Sequence, residues 1–234
     1  MKSKIIFSIS LIVINIINSF CPQLVLANIQ SKNNEKVKIV DKVIYDKDDY
    51  VYVDVIIPKI SGLPNKNKED LLNKKIENYT LEWIDNIKLI SQENFDTNVK
   101  PLSPYEANVR YEIKNNDKLL SFYIEYYQFI GGAHGSTTRV GYTIDTDNGE
   151  RLNISDLFNE EYDYKTFINE EIQSQINENK DIYFMGKDGF QGIKDNQDFY
   201  IEDNDLVVFF QQYEIAPYST GIPEFHISLE SLKK

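Results

Sequence analysis

Residues 105–145 constrain the fold more than any other part of this 234-residue chain. From Glu106 to Lys114, Ala107, Val109, Tyr111 and Ile113 alternate strictly with polar residues, the period of a strand with one wet face and one buried face. Asn115-Asn116-Asp117 is turn chemistry. The run that follows, Lys118 to Ile130, is apolar on both faces and belongs in the middle of a sheet. Strand, tight turn and strand predict a hairpin. Next come Gly131-Gly132-Ala133-His134-Gly135, a further alternation at Val140, Tyr142 and Ile144, and the tight turn Asp147-Asn148-Gly149. The GGAHG stretch therefore reads as the place where one strand turns into the next.

The flanks extend this pattern. Val51, Val53, Val55 and Ile57 alternate on one face, and Ser61-Gly62-Leu63-Pro64 ends that strand. Asn67, with Asp70 three residues on, is the expected cap of a helix of roughly 25 residues whose apolar stripe is Leu72, Ile76, Tyr79, Trp83, Ile87 and Ile90. Residues 28–42 are polar and lysine-rich and read as a flexible lead. Ser155 and Asp156 are expected to cap a short turn carrying Leu157 and Phe158. A second helix should bear Tyr164, Phe167, Ile168, Ile172 and Ile176, and two last strands fall in LVVFFQQY and EFHISL. Strands before and after helices predict an α+β fold, antiparallel sheets packed against two main helices, in place of βαβ winding. The expected division is a signal segment 1–27, an N-terminal subdomain 28–115 and a C-terminal subdomain 116–234 that carries GGAHG.

The first 27 residues stand apart from that fold. Lys2 and Lys4 precede an apolar run, and Val25-Leu26-Ala27 offers the small residues of a cleavage site, so the segment reads as a secretory signal cut after Ala27. Two alternatives are an uncleaved membrane anchor, against which Asn15, Asn18 and Pro22 count, and a lipid anchor at Cys21, against which the bulky Phe20 counts. Cleavage would leave no thiol for a disulfide or a cysteine-ligated zinc, because Cys21 is the one cysteine. Stability must then come from a core rich in Tyr (16) and Phe (13). With 25 Lys and Arg against 37 Asp and Glu, the net charge is −12. That argues against nucleic acid, whose binding rests on clustered cations. It favours a cationic protein partner through long-range steering, although solubility alone accounts for such acidity.

Residues that could carry chemistry are few. His134 has one other histidine in the chain, His226, on an expected strand, and neither HExxH nor GxSxG occurs. GGAHG lacks the lysine and the helix start of a phosphate loop. Glu160-Glu161 and Glu170-Glu171 are the adjacent pairs an acidic chain produces by chance, with nothing to set them across a sugar cleft. Asp145 to Glu150 lacks the length and closing glutamate of a calcium loop. No catalytic residue, metal site or cofactor is expected. In QQYEIAPYSTGIPEFHI, Pro217 and Pro223 fix the backbone and Gly221 loosens it between them, which reads as a shaped loop: a packing device or a recognition surface.

GGAHG, then Gly149-Glu150-Arg151-Leu152, Ile154-Ser155-Asp156-Leu157-Phe158, Tyr213-Glu214-Ile215-Ala216-Pro217-Tyr218 and Gly221-Ile222-Pro223-Glu224-Phe225, follow one another in order. Together they resemble the extracytoplasmic domain family found in RsiV-type anti-sigma factors and ahead of the PdaC peptidoglycan deacetylase. The stretch VDVIIPKISGL, leading into the long helix, resembles the partner domain that precedes it. The resemblance implies a non-catalytic module at the cell envelope, similar in the RsiV type to a lysozyme receptor. It does not carry over whole. Only MKSK precedes the apolar run where an anti-sigma factor has a cytoplasmic segment, and the Asp-Asp and His-His motif of a deacetylase domain is not in the chain. The expectation is a secreted or cell-surface, non-enzymatic binding module. Gly131, Gly132, His134, Gly135, Tyr213, Glu214, Pro217, Tyr218 and Gly221 would lie in or beside its recognition surface. The partner would be a cationic protein such as lysozyme, or cell-wall material. An envelope enzyme acting on peptidoglycan, with a metal at His134, and an accessory structural protein are the alternatives.

Overall fold

The computed structural model describes residues 37–95 and 103–230. The expected signal segment 1–27, with Cys21 and the expected cleavage after Ala27, lies outside them, as do residues 28–36 of the polar lead. Among the described residues no helix is long and apolar enough to cross a membrane. In chain order the elements are β1 (Lys38–Lys47), β2 (Val51–Ser61), α1 (Lys66–Asn94), β3 (Tyr105–Asn116), β4 (Leu119–Phe129), β5 (Ser136–Asp145), α2 (Tyr164–Glu178), β6 (Phe199–Glu202), β7 (Asp205–Phe209) and β8 (Glu224–Ser228). The first five strands form one sheet in that spatial order, and the last three form a second. The fold is α+β.

Side-chain alternation dictates the layers. Val51, Val53, Val55 and Ile57 of β2, Ala107 and Val109 of β3, and Leu120, Phe122, Ile124 and Tyr126 of β4 are buried in one core with Leu72, Ile76, Ile84 and Ile87 of α1. The opposite face of β4 meets the second sheet, where Tyr123 packs with Tyr200, Val207 and Phe209. On the far side of that sheet, Ile168, Ile172 and Ile176 of α2 close a third core over Phe199, Ile201, Val208, Phe225 and Ile227. Helix, sheet, sheet and helix thus stack in that order, with β4 buried on both faces as its sequence predicts.

Several expectations are corrected. The lead is already a strand from Lys38 onward; its charged residues suit an edge position, where neither face is sealed. The helix is capped by Asn65, not Asn67: the Asn65 side chain accepts the Lys68 N–H at 3.2 Å, while buried Glu69 accepts the Leu63 N–H at 2.8 Å. The buried stripe of α1 includes Thr80 and Ser91 and leaves Tyr79 exposed and Trp83 half-buried. Thr80 tolerates burial because its hydroxyl bonds the Ile76 carbonyl and the Tyr126 phenol, at 2.8 and 3.1 Å. Trp83 meets the Tyr126 ring edge-on at 5.4 Å. β2 and β3 pair in parallel, with α1 as the crossover, so one βαβ unit is present after all. Burial along β3 stops at Val109, with Tyr111 half-buried and Ile113 exposed. Pairing with β2 ends there and a register slip against β4 follows between Ile113 and Asn115, and such bulges bend a strand out of its layer. Asn115 and Asn116 belong to β3. The short turn Ile154–Leu157 is capped by Asn153, whose N–H donates to Asp156 at 2.8 Å. The four-residue β6 was not expected.

The β5 edge of the first sheet is filled by the rest of the chain. Gln212 Oε1 accepts the Thr137 N–H at 2.8 Å, and Gln211 brackets Arg139 through both its N–H and its C=O, at 2.9 and 2.7 Å. Asp198 Oδ1 accepts the Gly141 N–H at 3.0 Å, and Leu152 and Glu150 pair with Thr143 and Asp145. Burial pushes the Asp198 carboxyl above its usual range despite the Gly141 bond and the nearby Arg151. Its ionisation therefore opposes folding: stability that is present in full below the unfolded carboxylate range is lost as pH rises through the higher folded value. Asp198→Asn keeps an acceptor for Gly141, so it is expected to melt higher than the parent at pH 7. The gain should vanish at a pH below the carboxylate range, and an unchanged or lower melting temperature at pH 7 would refute the assignment.

Candidate binding surface around His134 and Tyr218

Gly131 and Gly132 take φ values of 91° and 93°, which let the chain turn out of β4 and return along β5. Gly135 is glycine for a different reason: a Cβ there would stand 2.5 Å from the Tyr127 ring. The turn leaves His134 exposed. Its Nδ1 lies 2.9 Å from the Gly135 carbonyl oxygen, which only accepts, so Nδ1 carries a proton and donates.

The second loop arrives from β7. Pro217 opens a single turn, Tyr218–Thr220, in which the Thr220 N–H donates to the Pro217 carbonyl at 2.9 Å, and Gly221 closes it at φ 76°. Tyr218 stacks on His134, with ring centroids 3.9 Å apart and planes 20° from parallel. Its hydroxyl donates to the same Gly135 carbonyl at 3.0 Å. Tyr213 follows at 5.7 Å from Tyr218; it is 56% exposed and held at φ 65°, a conformation a bulky side chain adopts only when its surroundings impose it. Glu214 supplies part of that constraint, accepting the Gln211 N–H at 2.8 Å and Lys194 Nζ at 2.5 Å. Beyond Tyr213 opens a shallow cleft of about 710 Å³, walled by Phe184, Phe210 and Ile215 and rimmed by Lys187, Lys194 and Glu214.

All nine residues expected from sequence therefore fall on these two loops. Of the four glycines, Gly131, Gly132 and Gly221 shape turns and Gly135 admits a ring. Sequence reading missed Gln211, Gln212 and Arg139, which tie the loops to β5. Arg139 bonds Glu125 at 2.6 Å and also Glu224, and lies 3.9 Å over the Tyr123 ring. In a sequence it is one more charge on an alternating strand. His226 does not join His134 in a site; its Nδ1 is 3.8 Å from Asp205 on the neighbouring strand. Among the described residues, no three His, Cys, Asp or Glu side chains are grouped to hold a metal ion.

Residues 44–137 match the family described as Deacetylase PdaC, and residues 155–230 match the protein family of unknown function DUF3298. The chain carries the PdaC–DUF3298 domain pair. It is 31% identical over 194 residues to the anti-sigma-V factor RsiV of Bacillus subtilis, covering 79% of this chain and 65% of RsiV. It is 29% identical over 133 residues to the peptidoglycan-N-acetylmuramic acid deacetylase PdaC of the same organism, covering 55% of this chain and 28% of that enzyme. The chain thus spans less than two thirds of either curated relative. Crystal structures of DUF3298 family proteins from Bacteroides fragilis and Pseudomonas aeruginosa share the fold, with TM-scores of 0.63 and 0.58 at 16% and 15% identity. Each alignment covers 84% of this chain, and 92% and 91% of the respective structures. In the PdaC–DUF3298 pair, GGAHG closes the first matched segment and YEIAPY lies in the second, so the His134–Tyr218 stack is a contact across the two.

Proposed function

We propose that this chain is a non-enzymatic binding module of the cell exterior, and that its recognition surface is the row His134, Tyr218, Tyr213 with the adjoining cleft. The observation that carries the reading is Tyr213: a large amphipathic ring, exposed, pinned at positive φ beside an apolar-walled groove. Rigid exposed tyrosines lose little entropy on binding and are enriched among residues that dominate interfaces. Similarity to RsiV supports a sensing role, and the −12 net charge supports a cationic protein of the lysozyme kind as partner.

Titration calorimetry of the purified chain with lysozyme tests both parts. Binding is expected at low ionic strength and should weaken with added salt. Tyr213→Ala should weaken it about thirtyfold, the effect of an interface anchor. No heat at low salt would reject the partner, and an unaltered affinity in Tyr213→Ala would reject the surface. A second reading, an enzyme acting on peptidoglycan, is favoured by similarity to the PdaC deacetylase and by the exposure of His134, whose Nδ1 alone is engaged by the Gly135 carbonyl. Acetate release from peptidoglycan that His134→Ala abolishes would establish it in place of the first.

A further inference from the structure

A sheet edge presents a row of unpaired N–H and C=O groups that another strand can take up. The two edges of the five-stranded sheet differ. Side chains and loops fill the β5 edge from Thr137 to Asp145. At the other edge, β1 has β2 as its one strand neighbour among the described residues. β1 is ten residues long, holds unbroken register with β2, and contains no proline. Val40, Val43 and Tyr45 are 57%, 62% and 63% exposed. Among the described residues this edge lacks the proline, bulge or covering loop that commonly prevents pairing; what it does carry is charge, at Lys38, Asp41, Lys42, Asp46 and Lys47.

We infer that β1 pairs with β1 of a second copy of this chain, antiparallel, with Ile44 opposite its own counterpart. The occupant follows from the repeated Asp-Lys at 41–42 and 46–47. Symmetric antiparallel pairing sets residues of like parity opposite each other, since both must turn their backbone groups toward the neighbour. Centred on Ile44, Asp41 faces Lys47, Lys42 faces Asp46 and Val43 faces Tyr45. Across residues 41–47 each charge meets its opposite and each apolar residue an apolar one, while Lys38, Ile39 and Val40 extend past the end of the partner strand. Centring on Asp41 or Lys42 sets that residue against itself. Centring on Val43 puts Asp41 against Tyr45 and Lys42 against Ile44, and centring on Tyr45 puts Asp46 against Ile44.

The surroundings agree with this register. On the α1 side, Lys42 is paired with Glu77, and Asp46 with Lys88 at 2.6 Å. The pairing would join these into a chain of alternating sign, Glu77–Lys42–Asp46–Lys88, across the twofold axis. On the other side Tyr45 already stands edge-on to Tyr52 at 5.8 Å, ready to receive Val43. Because the β5 edge is filled, assembly closes at two copies and does not propagate.

Charge reversal on the face away from α1 tests the pairing without disturbing the Glu77 and Lys88 bridges. Sedimentation velocity of the purified chain, from micromolar to submillimolar concentration, is expected to show a monomer–dimer equilibrium. Asp41→Lys and Lys47→Asp should each weaken self-association about tenfold, since each sets like charges opposite one another twice per dimer. Mixing the two variants should restore a dimer holding one of each, because a cation then faces a carboxylate at both ends of the paired strands. A parent chain that sediments as a monomer throughout overturns the inference, including the case in which β1 receives an extended segment of another protein. Variants that dimerise as the parent does, or a mixture that fails to recover, overturn it equally. Matching thermal melts of the variants and the parent confirm that the fold is retained.

Discussion

Gly141→Ala is expected to cost roughly 3 kcal/mol of folding stability, the upper end of what overpacking a well-filled interior usually costs. Gly141 sits on β5 where the two sheets touch, and a Cβ there would overlap the Phe199 carbonyl oxygen and crowd its carbonyl carbon and nitrogen at 3.0 and 3.1 Å. These are backbone atoms at the start of β6, so no side-chain rotation relieves the clash; the sheets must part. Parting also strains the Asp198 bond to the Gly141 N–H and the Arg151 bond to its carbonyl, at 3.0 and 2.7 Å. For a chain of this size the melting temperature should fall by about 10 °C. Gly132→Ala is the informative control. Gly132 has φ 93° and nothing within 4 Å of where a Cβ would be, so its cost is conformational alone, about 1–2 kcal/mol. A Gly141→Ala protein melting within a degree or two of the parent would mean the seam is compliant.

The seam is also where sequence stopped being informative. Local periodicity reported local structure faithfully: Val51 to Ile57, Ala107 and Val109, and Ile168, Ile172 and Ile176 are buried as their spacing predicts. It failed where burial depends on what lies opposite. Thr80 looks like a helix-surface residue until the Tyr126 hydroxyl is placed beside it. The parallel pairing of β2 with β3 is a property of the crossover through α1, invisible in either strand, whereas the turns that mark hairpins are local. β1 is half-exposed on both faces and so shows no clean period, and β6 is too short to show one. The candidate surface followed the same rule. Glycine, proline and histidine content flagged both loops, but their meeting, His134 on Tyr218 across 84 positions, follows from strand order. Gly135, Gly141 and Arg139 acquire their reasons only from neighbours that are remote in sequence.

Arg139→Met should be the most damaging single loss of charge, about 3 kcal/mol, at the lower end for breaking a buried ion pair because its two carboxylate partners are each about a third exposed. The guanidinium itself is nearly sealed. It lies over the Tyr123 ring and 5.4 Å from the Phe209 ring, with Nε and Nη2 on Glu125 and Nη1 on Glu224. Burial works against its charge, but the Glu125 and Glu224 carboxylates outweigh burial and hold its pKa above the ordinary value. Methionine fills the space between the rings yet leaves Glu125 and Glu224 facing each other without a cation. The deficit should therefore belong mainly to the orphaned carboxylates. Arg139→Met combined with Glu125→Gln and Glu224→Gln should recover most of the loss in urea denaturation, whereas Arg139→Lys, lacking the planar fork, should recover only part. A single Arg139→Met variant within 1 kcal/mol of the parent would show that solvent already screens the cluster. The position gives the cluster a second consequence. Arg139 leaves β5 four residues after Gly135, and Glu224 begins β8 three residues after Gly221, so this ion pair fixes the spacing of the two loops that carry His134 and Tyr218. If binding depends on that stacked row, Arg139→Met should weaken it even at temperatures where the variant remains folded, and the triple variant should restore stability more fully than affinity.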